Sequence, residues 1–167
     1  MTIHRTVRRL AYCAALAAGL GLGTAAPAAD QADEYTPLPR LSANYEVGER
    51  TQNEDAVKMP VSINGAVEVE GRVIRIAYAY QDDQVNASPL QFRRHFAALA
   101  GRLGGEVVYQ GNTEEFALAS TIRFPQGGRT VWALATSGDA EDIYHYQLVV
   151  VETATPWTQR GAATSPR

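Results

Sequence analysis

Beyond residue 28 the chain carries two histidines, His95 and His145, and no cysteine. Zinc wants three or four ligands, each braced by its own hydrogen bonds. Two distant histidines do not meet that need and read as polar residues at core margins. The acidic run Asp139, Glu141, Asp142 lacks the spaced oxygen ligands and bidentate glutamate of a calcium loop. It reads as a solvated hairpin tip. Hydrolysis by paired carboxylates needs the two acids to face each other across a cleft, whereas Asp82-Asp83 and Glu114-Glu115 are adjacent residues in turns. Ser120 and Ser137 stand in no G-x-S-x-G frame. Gly104-Gly105 and Gly127-Gly128 are isolated pairs, not phosphate loops. No catalytic set emerges, and no metal or cofactor is implied. The residues that could still carry function are aromatic: Tyr78, Tyr80, Tyr144, His145 and Tyr146 fall on the two strongest strands. Phenols over an apolar body could pave a binding face. The same positions also carry the pattern of cross-strand packing, which fits them better.

The elements that would position these side chains follow from hydrophobic period. Ser88-Pro89-Leu90-Gln91 has a capping serine, a proline at the first helical position and a glutamine completing a capping box. Phe92, Phe96, Leu99 and Leu103 then share one face of a helix that Gly104-Gly105 can stop. Around it the period drops to two. Val57 to Val69 holds one or two weak strands broken at Asn64-Gly65. From Gly71 a stronger strand places Ile74, Ile76, Tyr78 and Tyr80 on one face, expected to meet the helix, with Arg75 on the other. Glu106 to Gln110, Phe116 to Phe124, Arg129 to Thr136 and Ile143 to Val151 complete the set, with Pro125-Gln126-Gly127-Gly128 as a turn. The last strand is apolar on both faces, as a covered central strand would be. The fold class expected is α+β, an antiparallel β-sheet with one main amphipathic helix packed on one face.

Residues 1–28 predict a cleaved signal peptide: Arg5, Arg8 and Arg9, an apolar run from Leu10 to Gly23, and the cleavage site Ala26-Pro27-Ala28. Cys13 would leave with it, so neither a disulfide nor thiol chemistry is expected. The whole chain has 15 basic and 18 acidic residues, net −3; without the signal it has 12 basic, net −6. That excess argues against nucleic acid or an anionic membrane surface as the main partner. No second apolar segment predicts an integral membrane span after processing. The expected organisation is a signal over 1–28, an extended polar arm over 29–55, an α+β domain over 56–152 and a disordered tail over 153–167.

Several stretches together resemble a known family. These are Leu38-Pro39-Arg40, Glu54-Asp55-Ala56-Val57-Lys58-Met59-Pro60, Val69-Glu70-Gly71-Arg72-Val73-Ile74-Arg75-Ile76-Ala77-Tyr78, and the Ser88-Pro89-Leu90 helix opening. They are similar to the exported DUF4892-type domain that stands in front of OmpA-like domains in Gram-negative envelope proteins. The likeness covers Pro37 to Glu152. It implies a periplasmic or outer-membrane-associated non-enzymatic module that binds or adapts an envelope protein. No OmpA-like domain follows in this chain, so peptidoglycan binding does not carry over. Two other functions fit the residues: a small periplasmic hydrolase or lyase built around His145, Tyr146 and an acidic neighbour, and a binder of small apolar ligands.

Overall fold

The computed structural model describes residues 33–81, 87–139 and 141–158. The expected signal peptide, the Asp82-Asp83 pair and residues 159–167 of the expected tail lie outside the described residues. Among the described residues six strands, β1 (Tyr45–Ser62), β2 (Gly65–Tyr80), β3 (Glu106–Gly111), β4 (Leu118–Gln126), β5 (Arg129–Ser137) and β6 (His145–Pro156), flank one helix, α1 (Pro89–Arg102). They form a single antiparallel sheet in the order β1-β2-β6-β5-β4-β3. The α+β class holds in outline, with sheet predominating. The final strand is central, between β2 and β5, and β1 and β3 are the edges.

Two expected boundaries change. The arm read over 29–55 ends at Asn44, because Tyr45 begins β1, an 18-residue edge strand. Its middle, Glu49 to Ala56, is exposed throughout and, among the described residues, pairs as a strand only with β2. A strand with neither face buried shows no apolar alternation, so period alone does not mark it. Residues 33–44 that precede it are not free either: Tyr35 and Leu38 are buried. At the other end β6 runs past Glu152 to Pro156, held against β5 by Thr153 Oγ1 donating to the Thr130 carbonyl at 2.8 Å and Thr130 Oγ1 donating to the Pro156 carbonyl at 3.0 Å.

Local chemistry explains most of the rest. Ser88 caps α1: its Oγ accepts from Gln91 N at 3.3 Å, and its own N–H donates to Gln91 Oε1 at 2.8 Å. Losing such a cap costs about 1 kcal/mol. The β4–β5 hairpin turns on Gly127 and Gly128, at φ +57° and +77°. Both central residues of that two-residue turn need positive φ, which glycine adopts without penalty.

Period two divides the core. Ile74, Ile76 and Tyr78 of β2, Ile122 and Phe124 of β4, and Leu148 and Val150 of β6 lie in one cluster, to which α1 contributes Phe92, Phe96, Leu99 and Ala100. The intervening residues Val73, Ala119, Leu134, Val149 and Val151 belong to a second cluster. Alternate residues face opposite sides of a sheet, so the clusters lie on its two faces. The second is completed by Met59 of β1 and Val69 of β2. The far half of the β1–β2 hairpin therefore folds back over the sheet, where β1 approaches β3, β4 and β5.

Candidate functional site

The five aromatic-face residues do not form one surface. Tyr78 and Tyr146 are directly opposed across β2 and β6, with stacked rings 4.6 Å apart at 14°, and both are buried. Phe92 of α1 meets Tyr146 edge-on at 5.9 Å. Tyr80 packs against the same cluster through Tyr45, at 5.1 Å. Tyr45 itself, fully buried and 5.1 Å from Tyr146, belongs to this group and was hidden in what reads as arm. The Tyr146 hydroxyl accepts from Leu41 N at 3.0 Å, and the Tyr45 hydroxyl donates to the Ile143 carbonyl. Burial pushes the phenols of Tyr78 and Tyr146 far above their ordinary value of 10.0, and that of Tyr45 up to about 12. Phenols so placed keep their protons well above neutral pH, and their rings pack within the core. Tyr144 stands apart, half exposed.

His145 is next to Tyr146 in the chain but its side chain turns to the other face of the strand, although Tyr78, His145 and Tyr146 all border one groove. That groove is shallow, of about 480 Å³, with Ala77, Ala79 and Gln147 beneath and Phe116 and Glu115 alongside. His95 is elsewhere again. Its Nε2 meets the Pro39 carbonyl at 3.1 Å, and burial holds its pKa below 6.5. Among the described residues no three of His, Cys, Asp and Glu gather as metal ligands, and no helix is long and apolar enough to cross a membrane.

A different site arises where the hairpin leaves the sheet. The β2–β6 ladder runs from Ala79↔His145 to Arg72↔Glu152 and stops. The next residue of β2, Gly71, has φ +155°, and a Cβ there would lie 2.4 Å from the Glu152 carbonyl oxygen. Only glycine tolerates both the conformation and the approach. From that point β2 stays with β1 and β6 stays with β5. The strands part around a slot of about 700 Å³, walled by Val67 to Glu70 on one side and Thr153 to Pro156 on the other, with Trp132 at its base.

The slot is braced at both ends. At its closed end Glu152 accepts from Tyr35 Oη at 3.0 Å and pairs with Arg72 at 3.3 Å. At its base Arg123 is ion-paired to Glu106, and its guanidinium carbon lies 5.7 Å from the Trp132 ring and 5.5 Å from that of Trp157. A guanidinium between two indoles holds both rings in place. Gly71 was the available sign of this site, since a glycine inside a strand pattern marks a bulge or a close backbone approach. Gly71 lies inside β2, not at its start.

Compared with known proteins, the chain matches no family model, and the comparison with curated proteins found no match.

Proposed function

We propose that the protein is an exported, non-enzymatic binding module of the cell envelope that takes an extended segment of a partner protein into the slot between β2 and β6. The observation that carries this reading is the parting of the two strands at Gly71. In an antiparallel ladder alternate residues turn their N–H and C=O to either side. With β1 on one side only, half of these groups between Gly65 and Glu70 are turned to the slot. An added strand would satisfy them, the route by which sheet edges take peptides. The outer edges are less suited. β1 carries charge along its exposed middle, and β3 is six residues long with an irregularity between Val107 and Tyr109. Both features discourage strand addition. In this reading α1 covers one face of the sheet and leaves the other to the hairpin and its partner. The envelope setting rests on the signal-like residues 1–28 and on the likeness to the DUF4892 type.

The test places photo-crosslinking residues at Val67 and Ala154, in the slot, and at Leu90, exposed on α1. Mass spectrometry then locates the joined peptide. A short segment of one envelope protein, joined from both slot positions and not from Leu90, is the expected outcome. Equal labelling from Leu90, or none from the slot, rejects the reading. N-terminal sequencing of the exported protein checks for a start at Ala29.

A second reading, binding of a small apolar ligand, is favoured by the groove beside Phe116. Its volume lies within the ~300–1,000 Å³ usual for such sites, and Ala77 and Ala79 leave its floor open.

A further inference from the structure

We infer that the segment received by the slot alternates basic and aliphatic residues. This rests on the slot being a strand-addition site and goes on to specify the partner's sequence chemistry. Side chains directly across a strand pair share one face of the sheet. Along the free edge of β2, Val67 and Val69 turn to the second apolar cluster, and Val69 is part of it. Val67 remains 39% exposed, apolar surface that an added strand would cover. Alternating with them, Glu68 and Glu70 turn the other way, to solvent, and are exposed. Neither makes an ion pair among the described residues. Residues placed beside Val67 and Val69 must therefore be aliphatic, and those beside Glu68 and Glu70 are favoured as lysine or arginine.

The other charges near the slot leave a basic strand favoured. Arg123 at the base is held by Glu106 and two indoles. Arg72 at the closed end is paired with Glu152 and donates to Gln52 at 2.8 Å. Lys58 of β1 stands opposite Glu68 and partly offsets its charge, whereas Glu70 stands opposite Ala56 and is the stronger acidic position for an added strand. Beyond the slot the chain as a whole is acidic, net −3, which adds a weak attraction in the same sense.

The test uses a blocked peptide of about six alternating lysine and valine residues, long enough for one strand. A glutamate–valine peptide of the same length is the comparison. Binding is read by fluorescence anisotropy and located by backbone amide NMR shifts on the protein. The lysine peptide should bind about tenfold more tightly, with shifts confined to Val67–Glu70 and Thr153–Thr155. In the double variant Glu68→Lys, Glu70→Lys the order should reverse; both positions are exposed, so the fold is kept. Methylating alternate backbone nitrogens of the lysine peptide, on the strand-pairing side, should abolish binding, because it removes the ladder donors while keeping every side chain.

If both peptides shift the slot amides equally, the charge pattern is wrong while the strand-addition reading stands. If the lysine peptide binds but shifts other residues, or tolerates the methylation, the inference falls as mere charge attraction. Failure of every peptide to shift the slot removes the reading beneath it as well.

Discussion

Gly71 and Glu152 approach so closely that a Cβ on the first would sit 2.4 Å from the carbonyl oxygen of the second. Two strands that pair for eight residues part immediately beyond this contact. A glycine without side-chain function thus sets where the sheet ends and the slot begins.

Gly71→Ala should cost about 1–3 kcal/mol from backbone conformation alone, with the clash against Glu152 added to it. Urea unfolding followed by circular dichroism measures this. Gly101→Ala is the opposite case. It lies in α1 with nothing within 4 Å of the place a Cβ would take, so alanine should stabilise by about 0.5–1 kcal/mol. A pair of equal shifts would mean that the close approach at Gly71 is absent.

Two neighbouring tyrosines should respond differently to loss of a hydroxyl. Tyr146→Phe leaves the Leu41 N–H without its acceptor, at a cost of about 1–3 kcal/mol. The Tyr78 hydroxyl is buried and finds no partner among the described residues, so Tyr78→Phe should be neutral or stabilising. Thermal melts of the two variants decide it, and a large loss in Tyr78→Phe would reveal a partner for that hydroxyl.

His95 should make the protein less stable in mild acid. Burial holds its folded pKa below the ordinary 6.5. The unfolded chain therefore takes up the proton first as pH falls, and stability declines from about pH 6.5 down towards the folded value. Urea midpoints at several pH values would show the decline, and His95→Gln should flatten it in that range.

At the alkaline end the buried tyrosines act together. Their pKa values are raised by burial, in Tyr45 to about 12. Their contribution is complete below the unfolded pKa of 10.0 and is lost as pH rises towards the folded values. Phenolate absorbance should therefore rise in a first phase from exposed tyrosines and in a second that coincides with unfolding. A single phase near pH 10, with the fold retained, would contradict the burial of Tyr45, Tyr78 and Tyr146.

How legible the fold was depends on what each residue's signal reports. The helix was plain because the Ser88–Gln91 cap and the Phe92, Phe96, Leu99 spacing are local chemistry. β5 was plain because Trp132 and Leu134 face one cluster while Val131, Ala133 and Ala135 face the other. β1 was not, since Glu49 to Ala56 bury neither face and, among the described residues, pair only with β2. Tyr78 and Tyr146 stack on each other across two strands, whereas His145 joins them in sequence by adjacency alone, and a strand sends neighbours to opposite sides. The slot was least legible. It depends on a ladder ending at one glycine, and pairing between residues 72 and 152 leaves no trace in local sequence.

The central place of β6 also bears on how the sheet is assembled. β1 and β2 can pair as soon as both exist, and so can β3, β4 and β5. Yet these two halves share no ladder until His145–Pro156 enters between them. Such late, distant pairing slows folding, because the chain must close long loops before any contact rewards it. A chain cut before His145 would keep two hairpin-like pieces and lose the seam, and with it the point at which β2 turns aside.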